Sequence, residues 1–255
     1  MAEASPCHHE VARSQRIWRA EATERLNKGD PLMRRVQVFD VNETLLDLAG
    51  LDPHFERVFG DAGTRRGWFM QMIQSALVAT VTGAYSTFGQ IAMAALAMTA
   101  EQAGVELRDQ DREAIAGQLQ RLPAHPEVPR ELKRLRQAGF RLAALTNSTE
   151  EVARAQLENA DIIALFEQVL SADTVRRLKP APEPYLMAAE RLGVPVSEVR
   201  LVAAHAWDIA GAARAGCATA FVARPGKVLD PLVERPDVVG ANLAEVAEGI
   251  LAVDV

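Results

Sequence analysis

Short hydrophobic runs alternate with helical patterns over most of the chain. The β-branched and aromatic run Val36–Phe39 predicts a buried strand. Further strands are predicted at 141–145, near Val169, at 200–203, at 218–222 and at 238–239. Helices are predicted between and after them, at 129–138, 150–159, 182–192, 209–215 and 243–252. Strands that alternate with helices of this length form βαβ units, so we predict an α/β fold with a parallel sheet.

The segment between the first two predicted strands has a helical pattern and no clear strand. From about Asp52 to Gln120, apolar residues recur at a spacing of about 3.6 residues. Glycines are predicted to separate the helices and prolines to close the segment: Gly83, Gly89 and Gly104, then Pro123, Pro126 and Pro129. We therefore predict a helical cap domain at 49–125, inserted into a core domain at 33–48 and 126–255.

Residues 1–32 are polar and carry no strand signal that leads into the core, so we interpret them as an N-terminal appendage. Cys7, His8 and His9 lie in this segment. Three candidate ligands in a flexible terminus rarely form a metal site, and we predict no metal there.

Composition and charge narrow the classes of partner. Of the 255 residues, 49% are hydrophobic and 24% are charged, as in ordinary globular proteins. The formal charge of −6 argues against nucleic acid or an anionic membrane as the main partner, because phosphate binding requires a basic surface. Two cysteines are too few for a disulfide framework, and no apolar run approaches the roughly 20 residues of a membrane span. We expect a cytoplasmic protein that binds a small molecule.

Polar side chains follow several of the predicted strands, and in a parallel sheet they meet at the carboxyl edge, where such folds bind ligands. Asp40 follows the first strand and can act as a nucleophile or simply stabilise a turn. Thr146 and Asn147 follow the second strand. Their hydroxyl and amide can bind carboxylate or phosphoryl oxygens, or can begin a helix as a cap.

Two later segments offer charged groups for the same edge. Lys179 precedes Pro180, and its ammonium can neutralise a carboxylate nucleophile, although a solvated surface lysine is the alternative. His205 and Asp208 follow the strand at 200–203. They are either the imidazole and carboxylate of a site, or a buried histidine and an aspartate at the start of a helix.

In their order and spacing, these segments resemble the motifs of the haloacid dehalogenase superfamily, and within it the L-2-haloacid dehalogenase (type II) branch. The resemblance covers about residues 34–252 and rests on four motifs: Phe39-Asp40-x-x-x-Thr44-Leu45, Leu145-Thr146-Asn147, Lys179-Pro180 with Tyr185, and Trp207-Asp208-x-x-Gly211-Ala212. It implies a Rossmann-like parallel sheet with a helical cap inserted after the first motif. A homodimer through the cap would also suit it.

Two positions favour the dehalogenase branch over the phosphatases of the superfamily. The phosphatases carry a second Asp two residues after the nucleophile and a further acid in the fourth motif, where this chain has Asn42 and Ala204. An amide cannot protonate a leaving alkoxide, and the loss of a carboxylate weakens a magnesium site. Halide leaves without protonation. The resemblance therefore implies dehalogenation of short 2-halo acids with no metal and no cofactor.

The resemblance also implies a role for each motif residue. Asp40 attacks the halogen-bearing C2 of the substrate, and water then hydrolyses the resulting aspartyl ester. Lys179 keeps Asp40 anionic, since a positive neighbour lowers a carboxyl pKa. The remaining roles are as follows: Thr44 orients Asp40, Thr146 binds the substrate carboxylate, Asn147 helps to receive halide, Asp208 activates or positions water, and Tyr185 supports Lys179 or the substrate.

Three departures from the branch fall around the predicted site. Phe69 stands where the dehalogenases carry the arginine that receives halide, and Asn42 stands where they usually carry an aromatic residue. Ala203 and His205 replace a serine and an asparagine. We expect Asn42 and Phe69 to contribute to the substrate site. We hypothesise that His205 activates water for ester hydrolysis, because imidazole is a suitable base near neutral pH.

The missing arginine leaves the function open at one point. Arg65 and Arg66 lie one turn before Phe69, and we expect both to be solvated. A related hydrolase that acts on another substrate, including phosphate monoesters, is one alternative to a dehalogenase. A catalytically weak binding or regulatory protein on the same fold is the other.

Overall fold

A six-stranded parallel sheet forms the centre of the protein in the computed structural model, which describes residues 34–254. The strands are β1 (Val36–Phe39), β2 (Leu142–Thr146), β3 (Gln168–Ser171), β4 (Val199–Ala203), β5 (Ala218–Val222) and β6 (Val238–Gly240). They lie in the order β3-β2-β1-β4-β5-β6. The predicted α/β class with a Rossmann-like parallel sheet is confirmed. The predicted appendage, with Cys7, His8 and His9, lies outside the described residues.

Helices lie between most of these strands and after the last one, whereas a loop alone joins β5 to β6. They are α1 (Asp52–Phe59), α2 (Thr64–Thr82), α3 (Phe88–Ala103), α4 (Asp109–Leu119), α5 (Val128–Gln137), α6 (Glu150–Asn159), α7 (Pro182–Leu192), α8 (Ala206–Ala215) and α9 (Leu243–Val253). The sequence placed the start of α8 at Ile209. The helix instead begins directly after His205, so that Asp208 lies in its first turn.

Both faces of the sheet are covered by helices, which is why nearly every strand residue is buried, including Gln37 and Arg200. Val36 and Val38 of β1 pack on one face, in a cluster with residues of α7 and α8. Phe39 packs on the other face, in a cluster with residues of α5, α6 and α9. Each fully buried side chain of this size contributes about 1.5–3 kcal/mol, so the strand ends are held firmly in place.

The helices α1 to α4 all lie between β1 and β2, in the segment predicted as a cap. Gly83 and Gly104 end α2 and α3 in the left-handed conformation, with φ of 71° and 65°. The break predicted at Gly89 is wrong, because Gly89 lies in the first turn of α3. That helix begins with a capping box instead. The Thr87 hydroxyl accepts from the Gln90 amide, and the Gln90 side chain accepts from the Thr87 amide.

Trp68 fixes α2 against its neighbours in the inserted segment. Its indole N–H donates to the carbonyl oxygen of Ala92 on α3 at 2.9 Å. The indole also packs against Phe55 of α1, with ring centroids 5.3 Å apart. The next residue on α2 is Phe69, which reaches the sheet edge. The division into a core at 33–48 and 126–255 and a cap at 49–125 stays a prediction.

The strand order reverses between β1 and β4, and this is where ligands bind in open α/β sheets. Phe39 at the end of β1 is in register with Val202 of β4 and with Ala144 of β2. The amide of Asp40 donates to the carbonyl oxygen of Val202 at 3.0 Å. The loops after β1, β2 and β4 therefore meet at one edge, which holds the candidate site.

Candidate active site

Asp40 lies directly after β1 and is almost fully buried. Its Oδ1 accepts a hydrogen bond from Lys179 Nζ at 2.8 Å, and its Oδ2 accepts one from Thr44 Oγ1 at 2.7 Å. The Thr44 hydroxyl in turn accepts from the amide of Ala204 at 2.9 Å, which ties the loop after β1 to the end of β4. The carboxylate is therefore held in one orientation from both sides.

Lys179 lies between two buried carboxylates. Its Nζ donates to Asp40 Oδ1 at 2.8 Å, to Asp208 Oδ2 at 2.6 Å and to the carbonyl oxygen of Leu145 at 3.0 Å. An ammonium has three donors, so all of them are used. The side chain is 1% exposed. The alternative of a solvated surface lysine is therefore wrong.

The three charges shift one another's pKa values. Burial raises the pKa of Asp40, but Lys179 and His205 outweigh burial and hold that pKa below the ordinary carboxyl range. Burial lowers the pKa of Lys179, but Asp208 and Asp40 outweigh burial and raise it. For Asp208, burial and the nearby Asp40 charge raise the pKa, against the opposing effect of Lys179. Asp40 is thus the carboxylate that remains ionised most firmly.

Asp208 is held on its other side by Tyr185, whose hydroxyl donates to Asp208 Oδ1 at 2.5 Å. The position of Asp208 in the first turn of α8 also favours its negative charge, because helix N-termini carry partial positive charge. Gly211 allows α8 to come this close. A Cβ atom at Gly211 would lie 2.6 Å from Pro180 and 2.7 Å from the Tyr185 hydroxyl.

Asn147 holds the backbone on which Lys179 lies. Its Oδ1 accepts from the Lys179 amide at 2.8 Å, and its Nδ2 donates to the Lys179 carbonyl oxygen at 3.3 Å. Thr146 is buried, and its hydroxyl accepts from the amide of Ser148 at 3.2 Å. The amide of Asn42 donates to Ser148 Oγ at 3.4 Å and accepts from Gln156 at 3.0 Å. All three side chains lie at the sheet edge, and their proposed roles toward substrate stay predictions.

His205 lies between two aromatic rings. Phe69 stacks on one side of the imidazole with ring centroids 5.6 Å apart, and Trp207 stacks with centroids 5.1 Å apart. The imidazole Nδ1 lies 3.4 Å from Asp40 Oδ2. The Nε2 atom lies 2.9 Å from an oxygen of Glu43. Phe69, which replaces the expected arginine, therefore contacts the histidine that replaces the expected asparagine.

Glu43 and Lys227 are site residues that the sequence interpretation missed. Lys227 Nζ donates to Glu43 Oε2 at 2.5 Å and lies 5.3 Å from the centroid of the Phe69 ring. Glu43 could have been suspected from its place inside the first motif. No sequence signal identifies Lys227, which follows Gly226 in the loop after β5.

The expectation that Arg65 and Arg66 are both solvated is wrong for Arg65. Its side chain is 9% exposed, forms an ion pair with Asp52, and brings Nη1 within 4.0 Å of Glu43 Oε1. Arg66, one position later on the helix, is exposed as expected. Arg65 is buried because it lies on the side of α2 that faces the loop after β1.

A cavity of about 460 Å³ lies beside this group. Its wall includes Glu43, Arg65, Phe69, Arg224 and Lys227. Of these, Phe69 and Glu43 also contact His205. The cavity therefore lies next to two residues that contact His205, and its wall carries more positive than negative side chains.

The chain is similar to proteins of one family. The model of the haloacid dehalogenase-like hydrolases matches residues 35–216. An (S)-2-haloacid dehalogenase 1 from Pseudomonas sp. (strain CBS-3) is 32% identical over 200 residues, which cover 78% of this chain and 87% of the relative. Haloacetate dehalogenase H-2 from Moraxella sp. (strain B) is 27% identical over 209 residues, which cover 80% and 93%.

A solved structure is similar over nearly the same range. It is the L-2-haloacid dehalogenase from Xanthobacter autotrophicus with chloropropionic acid covalently bound. It superposes with a TM-score of 0.80 at 25% identity, and the match covers 87% of this chain and 100% of the other chain. The branch recognised from the four motifs is thereby confirmed.

Removal of the Lys179 charge is expected to destabilise the fold in a pH-dependent way. Lys179→Met leaves Asp208 buried without a counter-charge and leaves Asp40 with His205 alone, which costs about 3–5 kcal/mol near neutral pH. Both folded-state carboxyl pKa values then rise relative to those of the native protein, so the folded variant binds more protons and the loss shrinks as pH falls. Denaturant unfolding at pH 7 and pH 5 measures this. Asp40→Asn combined with Lys179→Met should lose less stability than Lys179→Met alone. An equal loss at both pH values would contradict the charge assignment.

Proposed function

Because this chain belongs to the haloacid dehalogenase-like hydrolases, we propose that it is a hydrolytic dehalogenase of short 2-haloalkanoic acids. The observation that carries the proposal is the buried Asp40 carboxylate, held ionised and oriented by Lys179 and Thr44. A carboxylate held in this way is prepared to act as a nucleophile. The covalently bound chloropropionic acid in a similar protein supports the same reading.

In the first step, one oxygen of Asp40 attacks C2 of the 2-halo acid in line with the carbon–halogen bond. A C2–O bond forms, the carbon–halogen bond breaks, and halide leaves with the bonding electron pair. Asp40 enters this step as an anion because Lys179 keeps its pKa low. Thr146 is proposed to bind the substrate carboxylate and Asn147 to help receive halide, while Asn42 and Phe69 contribute to the substrate site.

In the second step, water attacks the Cγ atom of the Asp40 ester and gives one proton to His205. The Cγ–O bond to substrate breaks, the released alkoxide takes the second proton of the water, and a 2-hydroxy acid leaves. His205 Nδ1 lies 3.4 Å from Asp40 Oδ2, which supports its role as the base. Asp208 is proposed to position water, and Tyr185 to support Lys179 through Asp208.

The charge on His205 changes at the moment the base is required. Burial lowers the pKa of His205, but Asp40 and Glu43 outweigh burial and raise it, which favours the imidazolium in the free site. An imidazolium cannot itself be alkylated by the substrate. Once Asp40 becomes an ester its negative charge is gone, the pKa of His205 falls, and the ring releases a proton to solvent. The neutral imidazole then accepts the proton of the attacking water.

We propose that neither step uses a metal ion. The positions where phosphatases of the superfamily carry additional acids hold Asn42 and Ala204. The Asn42 amide is already bonded to Ser148 and Gln156, which leaves it poorly suited to hold a divalent cation. The nearest positive charge to both Asp40 and Asp208 is supplied by Lys179.

The remaining proposals concern compartment and assembly. Within residues 34–254, the helices are too short or too polar to cross a membrane. We propose a cytoplasmic homodimer that associates through the inserted helices. Met70, Val78 and Val81 of α2 support this, because they expose 63%, 56% and 85% of their surface and are apolar.

Halide release should identify the reaction. Chloroacetate, bromoacetate, fluoroacetate, 2-chloropropionate and an aryl phosphate are each incubated with the protein, in magnesium or in a chelator. We expect halide from at least one 2-halo acid, unchanged by chelation. Asp40→Asn should reduce this release about 10³-fold or more, because it removes the nucleophile. Magnesium-dependent phosphate release would favour the phosphatase alternative, and no product from any compound would favour the binding protein.

The role of His205 predicts a trapped intermediate. His205→Asn should release about one halide per site and then stop, with an intact mass increased by the substrate acid attached through Asp40. Asn retains a polar side chain but cannot act as a base at neutral pH. The same variant carrying Asp40→Asn is the control and should show no adduct. Normal turnover of His205→Asn without an adduct would exclude this role.

The proposed dimer predicts an effect of charge on α2. Val81→Glu places a carboxylate on the exposed apolar surface and should convert a dimer into a monomer in sedimentation velocity. Arg66→Glu, a charge change on an exposed position earlier in α2, serves as the comparison. A native protein that sediments as a monomer would contradict the proposed assembly.

A further inference from the structure

Glu43 adopts an unusual backbone conformation next to the nucleophile. Its φ is 63°, in the left-handed region, and it is one of three residues other than glycine with positive φ within residues 34–254. This conformation costs a side-chain-bearing residue about 1–2 kcal/mol. An observed strain of this kind beside a reactive group suggests that the side chain serves a purpose there.

The carboxylate of Glu43 is surrounded by positive groups. Its Oε2 lies 2.9 Å from His205 Nε2 and 2.5 Å from Lys227 Nζ, and its Oε1 lies 4.0 Å from Arg65 Nη1. The side chain is 14% exposed. Burial raises the pKa of Glu43, but His205 and Lys227 outweigh burial and lower it. Glu43 is therefore a carboxylate and can only accept hydrogen bonds.

An acceptor at Nε2 determines which imidazole nitrogen carries the proton. Because Glu43 accepts at Nε2, the neutral ring keeps its proton there and presents the lone pair of Nδ1. Nδ1 is buried on the side of Asp40 and has no hydrogen-bond partner among the described residues. Its one charged neighbour is Asp40 Oδ2 at 3.4 Å, so Nδ1 is aimed at the carboxyl group that would become the ester.

The plane of the ring is held separately. The ring of Phe69 is inclined by 22° to the imidazole and that of Trp207 by 23°, so the two rings enclose it. Rotation of the imidazole about its Cβ–Cγ bond would drive it into one of these rings. Stacking alone does not determine how the imidazole is oriented within its own plane. The contact of Nε2 with Glu43 fixes this orientation.

We propose that Glu43 is a positioning residue, whose carboxylate holds His205 in the Nε2–H tautomer and aims Nδ1 at the water that attacks the Asp40 ester. The proposal rests on the proposed function of the site and deepens it. The proton balance is that of ester hydrolysis: Nδ1 takes one water proton, and Nε2–H stays bonded to Glu43 throughout. The arrangement has the same logic as a carboxylate that orients a catalytic histidine in a hydrolase triad.

Phe69 suits this arrangement because its side chain carries no charge. An arginine at residue 69 would place a guanidinium against the imidazole, where it would compete for Glu43 and disfavour the imidazolium. A phenyl ring supplies a wall without charge. Phe69 in place of arginine and His205 in place of asparagine therefore belong together: both differences from the branch serve the same chemistry at the imidazole.

The charged groups around His205 come from several loops. Asp40 and Glu43 lie in the loop after β1, and Arg65 reaches Glu43 from α2. Lys227 lies beyond the Phe69 ring. Lys179 and Asp208 lie on the side of the Trp207 ring. Removal of one carboxylate from this set lowers the pKa of His205. The pH dependence of ester hydrolysis therefore reports the charge of Glu43 at His205, and the rate of adduct decay reports how Glu43 orients the ring.

Glu43→Gln tests the proposal through the two steps separately. Stopped-flow halide release should stay within about threefold of the native rate, because Asp40 and Lys179 are intact. Decay of the adduct, followed by intact mass, should slow about 10- to 100-fold, as is typical when an orienting partner is removed. The rising limb of the hydrolysis rate against pH should move down by about one pH unit, since an opposite charge shifts a pKa by at least that much.

Matched variants separate orientation from folding. Glu43→Gly also removes the carboxylate but suits the positive φ, and its adduct should decay slowly as well. Glu43→Asp keeps the charge and should restore part of the rate. Asp47→Asn removes a charge from the wall of the same cavity without a contact to His205 and should leave the adduct lifetime unchanged.

The outcomes distinguish this inference from the proposed function. No halide from the native protein would overturn both. Halide release with a native adduct lifetime and an unmoved pH limb in Glu43→Gln and Glu43→Gly would overturn only the role of Glu43. A slowed halide burst without an adduct would assign Glu43 and His205 to the displacement step and would equally contradict the proposal.

Discussion

The ammonium of Lys179 is the charge on which the rest of the site depends. It is buried, and so are the two carboxylates that it joins, Asp40 and Asp208. Burial of any of these charges without the others is strongly unfavourable. The loops after β1, β3 and β4 must therefore close together in one arrangement. Asn147 and Tyr185 contribute to this closure, because their hydrogen bonds fix the backbone of Lys179 and the far oxygen of Asp208.

Much of the fold could be predicted from hydrophobic pattern alone. The strands are mostly apolar because both faces of the sheet are covered, and strand-end residues such as Asp40 and Thr146 converge by the geometry of a parallel sheet. The break predicted at Gly89 is wrong because a glycine in the first turn of a helix costs little stability. The sequence pattern does not distinguish such a glycine from a glycine that ends a helix. The true break depends on Thr87, whose capping partner Gln90 gives a weaker signal.

The contacts that His205 makes with Glu43 and Phe69 could not be predicted, although His205 and Phe69 themselves were expected at the site, and Lys227 was missed altogether. His205, Glu43 and Lys227 come together because an inserted helix and two loops approach from separate parts of the chain. No local periodicity encodes such a contact. Phe69 illustrates the point. Comparison with the family shows only that a positive charge is absent at this position, whereas the structure shows that the ring stacks on the His205 imidazole. The burial of Arg65 was missed likewise, since exposure of one helix side depends on what packs there.

The stack of Trp207 on His205 gives the molecule an intrinsic optical signal. An excited indole transfers an electron to an adjacent imidazolium far more readily than to a neutral imidazole, so its emission depends on whether the neighbouring ring is charged. Trp68, the other tryptophan in the described residues, is buried among the inserted helices and donates to Ala92 instead. In the proposed mechanism, fluorescence from Trp207 would thus brighten as His205 gives up its proton, and this emission would report the charge on the imidazole.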